Sequence, residues 1–180
     1  MELDLAMRKR RMFREFDGRP VSREDVDKLL WAAGRAQQGR PGVRHLIVVD
    51  DPALIKTAVQ VLPGFVITVD PALIIVHCSD LGAVEVDNVA GDGISRIDTG
   101  AALAHLGLMA RQLDLGTCTI TSWSEAAVRE LFDIPEHVRP DATVVIGYPI
   151  EKPRVPNARG AHFRPAIHHN SFHTPYEVQS

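Results

Sequence analysis

Residues 98–121 read DTGAALAHLGLMARQLDLGTCTIT, and this stretch decides the fold class. From Asp98 to Leu113 the sequence is rich in Ala, Leu and Met on nearly every side of a helix. A surface helix keeps a polar face, so this pattern predicts a helix buried all round. Leu115-Gly116-Thr117 breaks it, and Cys118 to Thr121 then reads as a strand.

Working outward toward the C-terminus, Ser124 is placed to cap a helix carrying Val128, Leu131 and Phe132. Pro135 and Pro140 bracket an expected turn, and Thr143 to Ile146 is the last clear strand before Gly147-Tyr148-Pro149. Beyond Pro149 the chain is polar and shows no helical period. Toward the N-terminus, Ser79 to Ile97 is polar and contains glycines, which predicts a functional loop or a mobile segment between the central helix and a buried strand at Ala72 to His77. Pro52 is suited to start a helix that runs to about Leu62 and stops at Pro63-Gly64. Leu46 to Val49 reads as another strand, and Gly34, Gly39, Pro41 and Gly42 mark a loop before it. Ser22 sits at an N-cap position ahead of Val26, Leu29, Leu30 and Ala33, and residues 2–14 read as a first helix. There is no internal repeat and no linker. One α/β domain is expected over residues 1–180.

Composition narrows the function classes. Lys and Arg number 20 against 23 Asp and Glu, a net charge of −3, with 45% hydrophobic and 24% charged residues, which excludes a disordered or collagen-like chain. Apolar runs such as Ala72 to Val76 fall far below the roughly 20 residues that span a bilayer, so no membrane partner is expected. The chain opens with Glu2 and Asp4 and then turns basic, without the apolar core of a secretion signal. With Cys78 and Cys118 its only cysteines and no CxxC, a cytoplasmic protein with reduced thiols is expected. The charge balance argues against nucleic-acid binding by bulk electrostatics, yet Arg8, Lys9, Arg10, Arg11 and Arg14 concentrate positive charge at one spot.

Known chemical motifs are mostly absent. Gly91-Asp92-Gly93 lacks the third glycine and the leading strand of a dinucleotide fingerprint, and no Walker A, GxSxG or HExxH sequence occurs. His168, His169 and His173 have neither cysteine partners nor helical spacing, so surface or interface histidines are expected and no metal. Cys118 in an apolar strand reads as an inert buried thiol rather than a nucleophile. The RKRRMFR segment could cradle a phosphate with forked guanidinium donors, completed by Arg159 or Arg164, or it could be a solvated helix face. Spacing alone does not choose between these two. A nucleic-acid patch is disfavoured because Met12 and Phe13 interrupt the run and Glu15 follows it.

The order of segments resembles the FMN-dependent nitroreductase family. RRMFREF followed by PVSREDVDKLLWAAGRA is similar to the family's opening. Asp98-Thr99-Gly100-Ala101-Ala102 leading to LGLMARQLDLGTCTI resembles its central helix and next strand. VRELFDIPEHVRPDATVVIGYP is similar to the last core strand with its preceding helix, and HFRPAIHHNSF to the C-terminal basic motif. The resemblance implies an α+β, three-layer α/β/α sandwich with a mixed, mostly antiparallel sheet, built as an intertwined homodimer. It implies FMN in clefts at the subunit interface, each site using both chains. Carried over by position, Arg10, Arg11, Met12 and Arg14 meet the flavin, Gln38 and Arg40 line it from the loop after the second helix, and Arg164 holds the phosphate. Thr119, Ile120, Thr121 and Ser122 run beside the isoalloxazine, where a backbone amide faces N5. The implied mechanism is ping-pong: NADH or NADPH gives hydride to FMN and leaves, and a nitroaromatic, quinone or similar acceptor takes the electrons. The flavin itself does the chemistry, so no catalytic side chain is assigned.

Departures from the family pattern fall in the same places. Arg40 takes the place of an Asn, Gly42 and Val43 replace a Gln-Pro pair, Met12 replaces a serine, and Thr121-Ser122 replaces a Glu-Gly pair. His162 stands at one basic position of the C-terminal motif, where its charge depends on pH. Fuller members roof the site with helices inserted before the central helix, where this chain has only Ser79 to Ile97. The alternative function is a specialised flavin- or nucleotide-binding dimer without a fast hydride cycle.

Overall fold

The computed structural model describes residues 1–84, 89–150 and 166–176, with 89 and 90 described for their backbone alone. Helix α1 (Leu3–Lys9) carries Asp4 in its first turn and Arg8 and Lys9 in its last, matching the helix dipole. Helix α2 (Arg23–Gly34) starts where the Ser22 hydroxyl accepts from the Asp25 amide at 3.1 Å. Strand β1 (Arg44–Val49) follows. The Asp51 carboxylate, accepting from the amides of Ala53 and Leu54, together with Pro52 starts helix α3 (Pro52–Val61). A 3-10 turn (Pro63–Ile67) leads to strand β2 (Leu73–Asp80), helix α4 (Val89–Gln112) and strand β3 (Gly116–Ile120). Helix α5 (Glu125–Phe132), capped by Ser124, and strand β4 (Val138–Gly147) complete the body.

The sheet order is β1-β2-β4-β3, and every pair of neighbouring strands is antiparallel. Parallel pairing is confined to isolated bridges, Met12 with Thr117 and Glu15 with Val69. Side chains alternate across β2, and the alternation sorts the helices into layers. Leu73 and Ile75 face Leu29 and Ala33 of α2 and Ala102, Leu106 and Ala110 of α4. Ile74, Val76 and Cys78 face Ile55 and Ala58 of α3, Phe65 of the 3-10 turn and Val128 of α5. The α+β, α/β/α sandwich expected from the sequence is therefore present. Residues Met1–Ile150 form this body, and residues 151–180 a separate unit. In that unit the described residues 166–176 make a small hairpin, closed by the Tyr176 amide on the Ile167 carbonyl at 2.8 Å. Among the described residues no helix is long and apolar enough to cross a membrane.

Four expectations need correction. The first helix stops at Lys9 rather than residue 14, because the Phe13 amide is drawn to the Thr117 carbonyl at 2.9 Å. The stretch read as a loop from Ser79 to Ile97 is helical from Val89 onward. Arg139 holds that added turn by its pair with Asp92 and its bond to the Ser95 hydroxyl at 3.0 Å. The turn expected between Pro135 and Pro140 is already strand from Val138. Its proline is tolerated because the register jumps from His77 opposite Ala142 to Cys78 opposite Pro140, which leaves Asp141 outside the ladder in a bulge. Finally, α4 is not buried all round: Ile94, Ile97, Gly100 and Ala104 are exposed in the single chain.

The bulge gathers a polar cluster under α4. Asp141 accepts from Arg139 at 2.6 Å, from the Ser79 hydroxyl at 2.5 Å and from the Thr99 hydroxyl at 3.2 Å. Beside it His77 is 1% exposed, and neither ring nitrogen has a hydrogen-bond partner among the described residues. Burial, reinforced by the charge of Arg44 and opposed by Asp141, holds its pKa down at about 4.

The unfolded imidazole takes up a proton near pH 6.5, whereas the folded one waits until about pH 4. Stability from this residue is complete above pH 6.5 and is lost as pH falls toward 4. At about 1.4 kcal/mol per unit, the loss is on the order of 3 kcal/mol. Urea denaturation of the parent and of His77→Leu between pH 7 and 4 checks this. The variant should lose much of the slope, and identical slopes would show that His77 protonates freely in the fold.

Candidate functional site

The basic motif is displayed by two buried aromatic anchors. Phe13 is 5% exposed and packs where Gly116 has no side chain; a Cβ there would stand 2.8 Å from its Cγ. Phe16 is 1% exposed and lies against Gly147 in the same manner. Between them the chain is extended, so burying Phe13 turns Met12 and Arg14 outward. The Phe13 ring is flanked by two guanidiniums, Arg11 at 4.7 Å and Arg111 at 5.3 Å from its centroid. Arg11 is thus half-buried against an aromatic face, whereas Arg10 and Arg14 are exposed. Neither Arg10 nor Arg14 is ion-paired to an acid among the described residues.

These side chains border β3. Arg10 Cδ would lie 3.7 Å from a Cβ on Gly107 of α4, and Thr117 Oγ1 3.9 Å from the same point. Strand β3 lies at a sheet edge, and among the described residues its outer side is joined only at Thr117, by the bridge to Met12. From Thr119 on, that side carries no strand partner among the described residues. Thr119 is half-buried, Thr121 and Ser122 are exposed, and Ile120 is 2% exposed with its side chain in the core. Ile120 can therefore offer a ligand only its main chain. Cys118 is fully buried, and burial raises its pKa despite the opposing charge of Arg14, so its thiol stays protonated. Cys78 is pushed up to about 12, again chiefly by burial.

A segment that the sequence did not single out closes one side. A Cβ at Gly64 would overlap the Ser122 carbonyl oxygen and Ile120 Cγ2, so the 3-10 turn is pressed onto the end of β3. Leu62 and Phe65, both fully buried, anchor it. At its other end the Val69 amide donates to the Arg14 carbonyl at 2.8 Å. Residues 64–69 thus cross from Ser122 to Arg14, with Val66 and Ile67 exposed on the crossing. The only sequence signal was Pro63-Gly64, which reads equally well as a helix stop.

Gln38 and Arg40 are held elsewhere. Their loop lies on α4 near Ile94 and Asp98, and the Gln38 side-chain amide donates to the Arg40 carbonyl at 2.6 Å. Nine residues of helix separate Asp98 from Gly107, about 14 Å along the axis. One chain therefore brings Arg10, Met12, Arg14 and the end of β3 together, and leaves Gln38 and Arg40 apart from them. Arg159, His162 and Arg164 lie outside the described residues. His168, His169 and His173 sit in the small hairpin, and among the described residues no cluster of potential ligands is arranged to hold a metal. A cleft of ≈ 500 Å³ between Gly18, Asp50, Lys56 and Asp70 contains none of the expected site residues.

The donor set suits a flat, anionic ligand. Two unpaired forked guanidiniums match phosphate or carboxylate oxygens. An open strand edge offers main-chain groups beside them.

The sequence pattern described as "Nitroreductase family" matches residues 71–148. A Methanothermobacter thermautotrophicus protein provisionally named NADH dehydrogenase/NAD(P)H nitroreductase is 30% identical over 164 residues, covering 85% of this chain and 80% of that one. The crystal structure of a nitroreductase family protein from Clostridium difficile 630 superposes with a TM-score of 0.76 at 25% identity, covering 92% of this chain and 94% of that one. An FMN-dependent nitroreductase from Clostridium difficile R20291 has a TM-score of 0.76 at 24% identity, covering 93% and 98%, and shares the fold.

The contact at Gly64 can be tested directly. Gly64→Ala gains about 0.4–1 kcal/mol by restricting the unfolded chain. Overlap with Ser122 and Ile120 should cost about 1–3 kcal/mol and outweigh it. Net destabilisation in urea is expected; a stabilised variant would mean that the turn is not wedged against β3.

Proposed function

This chain belongs to the nitroreductase family, and we propose that it works as an FMN-dependent NAD(P)H oxidoreductase on a nitroaromatic, quinone or similar electron-poor acceptor. The observation that carries the reading is the placement of Arg10 and Arg14, exposed and without acidic partners among the described residues, along the outer edge of β3. When bound, FMN supplies the redox chemistry, accepting hydride from NADH or NADPH and passing electrons to the acceptor in ping-pong order. Arg10 and Arg14 bind its anionic end or the pyrimidine edge, where a fixed positive charge favours the reduced state. The main chain of Thr119 to Ser122 orients the ring system, and Thr121 and Ser122 add hydroxyl donors. Val66 and Ile67 exclude water from the side next to Ser122. Arg164 is the proposed further phosphate ligand.

A second copy of the chain completes the site. Gln38 and Arg40 sit about 14 Å along α4 from the Arg10 end, too far to reach a ligand held there. Pairing two α4 helices through the exposed Ile94, Ile97, Gly100 and Ala104 face would cover that apolar surface and carry one chain's loop to the other chain's basic motif. We take the whole chain, 1–180, as one family domain. Its two unpaired, buried cysteines suit a reducing cytoplasm.

Purified protein titrated with FMN under anaerobic conditions tests the reading. Flavin absorbance that bleaches on adding NADH or NADPH, and returns on adding a quinone, is the expected result. Flavin that binds but bleaches with neither donor would favour the binding dimer without a hydride cycle.

Arg14→Ala probes the basic motif separately from turnover. Loss of one charge-assisted contact should weaken FMN binding about ten- to a hundredfold in a fluorescence titration. An unchanged affinity would place the flavin away from this motif.

A further inference from the structure

We propose that Arg44 is the positioning residue that fixes the Gln38–Arg40 loop in the shape it presents to the cofactor, an inference that rests on the flavin reading above. Arg44 opens β1, and its guanidinium bonds four carbonyls drawn from three segments. Nη1 donates to Ala33 at 3.1 Å and Ala36 at 3.3 Å, and Nη2 to Gln37 at 2.5 Å and Asp98 at 3.1 Å. Ala33 lies in the last turn of α2, where its carbonyl has the Ala36 amide at 3.3 Å in place of the regular helical bond. That turn contains no basic residue of its own, so a strand residue supplies the cation that a helix C-terminus favours. Gln37 belongs to the loop, and Asp98 to α4.

Asp98 grips the loop from the other side. Its carboxylate accepts from the Gln37 side-chain amide at 3.2 Å and from the Gly39 amide at 2.6 Å. Gly39 also lies so close to α4 that a Cβ would stand 2.6 Å from Ile94 Cγ2. The residues on both sides of Gln38 are therefore clamped, while Gln38 itself is exposed. A loop tied in this way loses little conformational freedom when a ligand arrives, so its contacts appear as affinity rather than being spent on ordering. The planar fork of five N–H donors is what permits four carbonyls to be held at once, and an ammonium group cannot reproduce it.

The test uses the full chain with Arg44→Gln and Arg44→Lys. In the absence of FMN, amide exchange at Gly39 should quicken at least about tenfold in Arg44→Gln, with β2 and β4 amides unchanged. With FMN present, its Kd should rise about tenfold or more in Arg44→Gln and less in Arg44→Lys. A double-mutant cycle with Gln38→Ala distinguishes positioning from general support. If Arg44 acts through the loop, Gln38→Ala should lose most of its effect on FMN affinity once Arg44 is gone. Independent effects in that cycle, or unchanged Gly39 exchange, would overturn the proposal. Should Arg44→Gln fail to fold, Asp98→Asn serves as the second probe and should release Gly39 in the same way. If the parent protein binds no FMN, the flavin reading falls, and the Gly39 exchange alone decides whether Arg44 holds the loop.

Discussion

Helix α4 is the member on which the rest of the structure depends. It runs for 24 residues, about 36 Å, across one face of the sheet, and separate parts of the molecule attach at fixed points along it. Asp92 and Ser95 meet Arg139, Asp98 meets the 36–40 loop, Thr99 meets the bulge at Asp141, and Gly107 meets Arg10. A helix is stiff over this length, so these attachments set distances as well as contacts. The separation between the loop and the basic motif follows from the helix rise rather than from any contact between them.

The two ends of α4 work in opposite electrostatic regimes. Under Thr99 the paired charges are enclosed, with the Arg139 and Asp141 side chains 11% and 4% exposed, while Asp92 keeps a half-exposed side chain at the rim. Such a cluster is weak evidence for stability, because desolvation offsets most of the attraction. What it secures is register: the bulge at His77 and Cys78 aims Asp141 at α4, and no neighbouring slip would bring the same three donors to it. At the Arg10 end the charges are exposed, and fixed aromatic packing of Phe13 and Phe16 holds their backbone instead. One end specifies the fold, and the other leaves cations available.

What was legible in the sequence was what local chemistry determines. The caps at Ser22 and Ser124, Pro52 at the start of α3 and the apolar run of β2 marked helices and strands by local chemistry alone. The basic motif was legible as a charge cluster. The misread stretches are those where distant partners override local preference. Gly91 and Gly93 weaken a helix on their own, yet the turn forms because Arg139 satisfies Asp92 and Ser95. Pro140 marks a turn to any local rule, and a bulge makes it acceptable within a strand. Gly64, Asp98 and Arg44 escaped notice because their roles are made by contacts across the chain. An arginine opening a strand looks like any polar residue until four carbonyls converge on it.

The arginines finally divide into two sets, and that division changes what the charge cluster means. Arg44 is committed to carbonyls, Arg139 to Asp92, Asp141 and Ser95, and Arg8 pairs with Asp4 at 3.7 Å. Arg11 and Arg111 flank Phe13. A guanidinium already holding carbonyls or carboxylates has few donors left for a phosphate, and one flattened on an aromatic ring has a fixed direction. Of the arginines in the 8–14 run, Arg10 and Arg14 remain, on the outward side of a segment whose inward side is anchored. The selectivity of the motif therefore comes less from the number of positive charges than from the structural work that occupies the others. A variant that released Arg11 by removing Phe13 would add a cation to the surface while loosening the segment that aims Arg10 and Arg14. Such a change should raise non-specific anion binding and lower affinity for a ligand that needs two guanidiniums in fixed register.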